Sequence, residues 1–346
     1  MFRPAVLKIL GVALVGFAFS SAPSATAQEV TLRLHHFIPP VAAPHKHFLT
    51  PWADKVMKES GGRLKIEIYP SMGLGGRPPQ LYDQVKDGIV DIIFTLPGYT
   101  PGRFPKTEAF ELPFMHVDAV TTNRAMQDYF EKHLQDEYKD VHVLLLHVHE
   151  GQVFHTRTPI RKFDDFKGKT FRTPSSAGTL LIEALGANAY HSPVTEMAQL
   201  LSKGVVDGVM VPFEIVPAFK VHQLVKYHVT VQGPRVHTSA FLFAMNKNSY
   251  AKLPADLKKV IDNNSRRNLA DFAGKVWIDI EKPGIALSKK RGNEFITLSA
   301  EETAKVREAG MKARQRWVEQ VKDKGIDGAA LLKDAEAMLA KHKGKM

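Results

Sequence analysis

Three short runs near the start of the chain set its grammar. Val30–Leu34 (VTLRL) and Leu64–Tyr69 (LKIEIY) alternate apolar and polar residues, the mark of half-buried strands. Ile89–Leu96 is a mostly apolar run, interrupted by Asp91 and Thr95, as a parallel strand covered on both faces would be. Amphipathic stretches fill the gaps: Ala43–Glu59, closed by Gly61-Gly62, and a helix opened by Pro78-Pro79 and ended at Gly88. This βαβαβ order predicts an open, mostly parallel sheet.

The alternation continues beyond a long loop, Pro97–Pro113. Helix Val120–His133 and strand Val141–His149 come first, and Gly151–Ile160 reads as a crossover segment. A second set follows, with strand Lys169–Arg172, helices Ser176–Leu185 and Val194–Leu201, and strands Val205–Val211 and Tyr227–Val231. QVKDGIVD (84–91) and LLSKGVVD (200–207) echo each other, each a helix end, a glycine and a β-branched strand start. Ser239–Met245 is one more apolar strand. Pro254 then opens a pattern in which Leu257, Val260, Ile261, Leu269, Phe272, Val276 and Ile280 recur at three- and four-residue steps. A helix over 255–282 would be about 42 Å long, enough to run across two lobes. Pro283-Gly284 should break or kink it. Ser299-Ala300-Glu301-Glu302 is a capping box that starts a helix to about Lys322, and Asp327 starts the last one.

The first residues obey different rules. Arg3 and Lys8 precede an apolar run, Ile9–Phe19, that is too short to span a bilayer, and Ala25-Thr26-Ala27 is a small-x-small cleavage site. Residues 1–27 therefore read as a secretory signal peptide, with Gln28 the expected mature N-terminus. The chain has no cysteine, which excludes disulfides, thiolate nucleophiles and a lipid anchor at the cleavage site. A freely soluble exported protein is expected. The formal charge of +11 falls by two once the peptide is removed. Lys and Arg lie opposite Asp and Glu along helices rather than in a stripe interleaved with aromatics, so no nucleic acid is expected. An anionic small molecule fits export better.

The common catalytic signatures are missing: G-x-S-x-G, Walker A, H-E-x-x-H and G-x-G-x-x-G. No cofactor and no enzyme activity are expected. The competing reading is a metal-dependent hydrolase built on His147 and His149, on one strand face, with Glu150 beside them. A zinc site needs a third ligand that the sequence does not supply. His45 and His47, two apart on a helix, point away from each other.

A binding site is better supported. In FDDFKGKTFRTPSSA (163–177), Arg172 falls at the C-terminal end of a strand, Pro174 stops that strand, and Ser175 or Ser176 can cap the next helix. Guanidinium and helix N-terminus would both favour an anion; otherwise Arg172 is a surface arginine of a βα unit. Ligands of open α/β sheets bind outside the carboxyl ends of strands. The other strand ends here offer His36, Phe94 with Tyr99, Gln152 with Phe154 and His155, and Phe213 with Glu214. One cationic anchor among aromatic and hydrogen-bonding groups suits a carboxylate with an apolar body, which arginine grips in bidentate fashion.

LRLHHF, MGLGG, QVKDGIVDI, ELPFM, FDDFKGKTFRTP, EALGA and SKGVVDG occur in that order along the chain. In this the chain resembles the solute-binding receptors of tripartite ATP-independent periplasmic (TRAP) transporters, of the dicarboxylate-receptor type. The resemblance implies an α/β fold of the two-lobed periplasmic binding protein kind, each lobe an open mixed sheet flanked by helices, with a long helix spanning both. Lobe I is expected over 28–150 with 237–275 returning to it, and lobe II over 151–236 with 276–346 packing on it. The resemblance further implies a periplasmic monomer that closes on an organic acid anion, with Arg172 holding its carboxylate. It would deliver that anion to a permease of small and large membrane subunits driven by an ion gradient. Many relatives bring a second arginine from the crossover, but GQVFHT (151–156) has none, and Val211 stands where many have asparagine. These departures favour a monocarboxylate, aromatic or hydroxylated, over the alternative C4-dicarboxylate. Glu214 would accept from a ligand hydroxyl or pair with a neighbouring cation. A receptor for an ATP-driven importer or for a sensor is the further alternative.

Overall fold

The computed structural model describes residues 1–2 and 29–344, so the signal-peptide reading lies outside the described residues. Eleven strands follow in chain order: β1 (Val30–His36), β2 (Leu64–Tyr69), β3 (Ile92–Thr95), β4 (Val141–Val148), β5 (Val153–Thr156), β6 (Thr170–Thr173), β7 (Asn188–His191), β8 (Gly208–Val211), β9 (Tyr227–Thr230), β10 (Ala240–Asn246) and β11 (Glu294–Thr297). They form two mixed sheets with helices against them. The first has the order β2-β1-β3-β10-β4 and the second β11-β9-β5-β8-β6-β7.

Each sheet is parallel around one intruder. In the first, β1 runs parallel to β2 and β3, while β10 lies antiparallel between β3 and β4. In the second, β5 lies antiparallel between β8 and β9. These two strands follow directly on the segments that pass between the lobes, so each enters its sheet against the local direction. The segment read as a crossover is therefore a central strand.

Two elements without an apolar pattern escaped the sequence reading. The sequences of β7 (NAYH) and β11 (EFIT) leave half or more of their residues exposed, because each lies at a sheet edge. Strand β3 begins at Ile92, not Ile89. Gly88 takes φ 75°, Ile89 is exposed, and its carbonyl accepts from the Arg33 guanidinium at 2.8 Å.

The expected helix over 255–282 is two helices, Ala255–Asn263 and Arg267–Arg291. The break falls at Asn264-Ser265-Arg266, where side chains compete for backbone groups. Asn264 donates to Val260 O, Ser265 donates to Ile261 O, and Arg266, at φ 55°, turns its N–H to Leu144 O. Pro283 breaks nothing. It lies on the exposed side of the second helix, as does Asp279, whose carbonyl it leaves unpaired for water. That 25-residue helix is about 38 Å long and touches β4 in one lobe and the Phe213–Ile215 turn in the other. At that turn Gly284 is required, since a Cβ there would stand 1.9 Å from the Phe213 carbonyl oxygen.

The C-terminal region divides between the lobes. Helix Ala300–Lys322 packs on Ser176–Ala184 of the second lobe. The last helix, Gly328–His342, was expected there too but packs on Ala119–Tyr129 of the first, where Asp128 meets Lys341 at 2.7 Å and His342 at 2.9 Å. Among the described residues no helix is long and apolar enough to cross a membrane.

Candidate functional site

Between the lobes lies a narrow cavity. Phe37, Ile38, Phe94, Leu96 and Tyr99 line it from the first lobe, with Phe241 on the returning strand and Ser239 just before it. Arg172, Pro174, Val194, Val211, Glu214 and Ile215 line it from the second, and His149 and Gln152 from the crossing segment.

Arg172 is the only lysine or arginine among these residues, and it is 1 % exposed. It sits in β6, flanked by β7 and β8, whose registers set Arg172 opposite Tyr190 and Val209. Its Nε donates to the Ser192 carbonyl at 2.9 Å, and its Nη2 donates to the same oxygen. Burial works against the charge, while Tyr99 supports it. The Tyr99 hydroxyl accepts from Val194 N–H at 3.2 Å, joining the lobes beside the guanidinium. A buried, oriented cation in a largely apolar cavity is suited to an anion.

The helix behind Pro174 is capped by Ser175, whose Oγ accepts from Gly178 N–H at 3.3 Å. Ser175 and Ser176 meet the carboxyls of Glu111 and Glu108 across the lobe boundary, and burial raises both carboxyls above their usual range. The same boundary holds His191, whose Nε2 donates to the carbonyls of Gly98 and Pro174, both at 3.0 Å.

Glu214 is buried. Its backbone N–H donates to Glu281 Oε1 at 3.0 Å, from the long helix, and its Oε2 has no partner. Burial and then the neighbouring Glu281 push its carboxyl well above the usual range, so it is a neutral acid. Arg235 stands 3.8 Å from the other oxygen of Glu281. Gln152 donates from Nε2 to Ser239 Oγ at 2.8 Å and leaves Oε1 unpartnered.

Of the nine residues named from sequence, five line the cavity: Arg172, Glu214, Gln152, Tyr99 and Phe94. Phe94 lies flat against Phe241, with ring centroids 4.9 Å apart. Four do not line it. Phe154 packs with Phe166 and Phe171 in the core of the second lobe. His155 is buried against His228, Nδ1 to Nδ1 at 2.6 Å, and its Nε2 donates to Val211 O. Phe213 stacks on Phe295 behind the cavity wall, and His36 bonds His45 at 3.0 Å beside it. Phe37, Ile38, Val194, Ile215 and Phe241 were missed; only their nearness to strand ends could have signalled them.

The metal reading finds no support in the arrangement. His147 packs against both Phe94 and Phe241, His149 faces the cavity, and Glu150 accepts from Ala119 N–H at a helix start. Among the described residues no three His, Cys, Asp or Glu side chains converge as a metal site would require.

Many of the histidines are held neutral. Burial pulls His36, His147 and His237 down to about 3, and His116 and His228 to about 4. Each therefore contributes stability that is complete above the unfolded value of 6.5 and is lost as pH falls toward 3–4. Buried carboxyls act oppositely: Glu111, raised to about 8, and Glu137, Glu150 and Glu281, raised to about 7, lose stability as pH climbs from 4.5. Below 4.5 these carboxyls are neutral folded or unfolded, and the histidines act unopposed. Thermal melts from pH 8 to 3 should fall most steeply below about pH 4.5, at about 1.4 kcal/mol per pH unit for each histidine still titrating. A flat melting temperature between pH 5 and 3.5 would contradict this.

Residues 35–320 match the family of bacterial extracellular solute-binding proteins, family 7, or DctP. The chain belongs to that family. Its solved relatives are receptors of TRAP type. A marine metagenome protein specific for aromatic acid ligands, in complex with 3-hydroxybenzoate, is 44% identical, with a TM-score of 0.90 over 91% of this chain and 99% of that one. A Rhodoferax ferrireducens receptor holding copurified benzoate is 42% identical, with a TM-score of 0.89 over 90% and 98%. A Bordetella bronchiseptica receptor with bound (R)- and (S)-mandelate is 30% identical, with a TM-score of 0.82 over 90% and 99%. The family is one of receptors and shares the two-lobed architecture described above.

Proposed function

We propose that this receptor captures an aromatic monocarboxylate in the bacterial periplasm and hands it to the membrane subunits of a TRAP transporter. The observation that carries this is Arg172, the single arginine or lysine lining a cavity otherwise walled largely by Phe37, Phe94, Phe241, Val194, Val211 and Ile215. One cation balances one carboxylate. A C4-dicarboxylate would bring a second charge with no cation on the wall to meet it, at a high desolvation cost. The relatives that hold benzoate, 3-hydroxybenzoate and mandelate support the same reading.

The mechanism is capture without chemistry. The open lobes expose Arg172, the acid enters, and closure seals it as His191 reaches Gly98 and Tyr99 reaches Val194. Closure needs a ligand that contacts the closed state better than the open one, and the apolar wall shared by both lobes supplies that difference. Export would follow from residues 1–27.

Melting the protein with benzoate, 3-hydroxybenzoate, mandelate, succinate and malate is the direct test. An aromatic acid present at about 100 times its Kd should add about 2.7 kcal/mol of stability. Succinate and malate should add almost none. A larger shift with succinate than with any aromatic acid would overturn the assignment.

A further inference from the structure

We propose that Gln152 and Glu214 form a hydroxyl-reading subsite opposite Arg172, so that the preferred ligand is a hydroxylated aromatic acid. The inference rests on the aromatic-acid reading above and adds the residues that choose among such acids.

Two buried side-chain oxygens on the cavity wall have no partner, Gln152 Oε1 and Glu214 Oε2. Both residues are held by hydrogen bonds to the surrounding framework. Gln152 is tied through Nε2 to Ser239, and its backbone N–H to His237 O at 2.7 Å; Glu214 is tied through its own N–H to Glu281. The sheet brings them to one side. Strand β5 enters antiparallel to β8 with Val153 opposite Val211, which sets Gln152 beside the residues leaving β8, Pro212 to Glu214. Arg172 sits on β6, along the other edge of β8. A ligand anchored at Arg172 reaches across the end of β8 to meet the pair.

The pair selects a chemistry. Gln152 Oε1 only accepts. Glu214, buried and crowded by Glu281, keeps its proton and can donate. A hydroxyl is neutral at pH 7, donates once and accepts, so it answers both at a single atom. An ammonium only donates, a second carboxylate only accepts and brings charge, and a bare ring leaves both oxygens unpaired. A buried polar group left without its partner discriminates by about 10- to 100-fold.

Calorimetry with benzoate and with 2-, 3- and 4-hydroxybenzoate tests this on the whole protein. At least one hydroxybenzoate isomer should bind wild type about tenfold or more tighter than benzoate. Gln152→Leu and Glu214→Leu should each shrink that ratio, the first to within about twofold. Circular dichroism confirms that each variant is folded, and the ratio cancels any general loss of affinity. Equal wild-type affinity for benzoate and all three isomers, or a ratio unchanged in both variants, overturns the subsite and leaves the aromatic-acid reading standing. Binding of none of the four acids overturns the aromatic-acid reading and the subsite with it.

Discussion

Arg172→Lys is expected to weaken binding of the tightest aromatic acid about 100-fold, the equivalent of about 2.8 kcal/mol. The guanidinium does two things at once: Nε and Nη2 hold the Ser192 carbonyl, and the group lines the cavity. An ammonium is a point donor. Turned to Ser192 it abandons the carboxylate, and turned to the carboxylate it leaves Ser192 O without its partner. A lysine at this buried position is also readily deprotonated, because burial disfavours its charge and its pKa shifts more easily than arginine's. Two charge-assisted hydrogen bonds at about 1.5–3 kcal/mol each bound the loss from above, and a residual single bond bounds it from below. Stability should fall by only about 1–2 kcal/mol, so circular dichroism still reports a folded protein. Calorimetry giving the same affinity for variant and wild type would remove Arg172 from the site.

Gly98→Ala is expected to cut affinity about tenfold or more without disturbing the free protein. The added Cβ would stand 2.6 Å from Ser175 Cβ and 3.1 Å from Pro174 O, across the lobe boundary. Neither Cβ can swing away, since both are fixed to backbone. Ordinary carbon contacts need about 3.5–4.0 Å, so the lobes must part by about 1 Å at this point. The hydrogen bonds from His191 to Gly98 O and from Val194 N–H to Tyr99 lie alongside and would stretch together, at about 1 kcal/mol each. On the proposed lobe closure an open form would make none of these contacts, so the unliganded melting temperature should hardly move. The penalty falls on the closed population and is read as weaker apparent binding. Small-angle scattering should show less ligand-induced compaction in the variant. Full compaction with wild-type affinity would mean that this boundary is not the ligand-holding contact.

Much of this was legible in the chain because it is local. The apolar Ile92-Ile93-Phe94 before Leu96, the Gly168 turn, Pro174 and the Ser175 cap specify strands, their ends and a helix start from near neighbours alone. That is why Arg172 could be found. The failures lie where tertiary context decides. At one strand end Glu214 faces the cavity while Phe213, one residue earlier, turns to Phe295; the sequence offers no reason to choose between them. Phe154 and His155 follow Gln152 into β5, and the packing of Phe166, Phe171 and His228 takes them away from the ligand. Asn264 to Arg266 break a helix that propensity alone would carry through, because Leu144 presents a carbonyl to Arg266. Pro283 survives inside a helix because its side of that helix faces water.

The late arrival of β10 has a kinetic consequence. Until residue 240 and those after it are available, β3 and β4 have no strand between them, and the centre of the first sheet stays open. The first lobe therefore cannot finish folding from its own leading segment. Long-range pairings of this kind are slow to form, because the loop must close before the ladder repays it. A chain cut short before β10 would present two apolar edges at once, ready to pair with other chains. The strand that ties the lobes together thus also delays folding until most of the polypeptide is present.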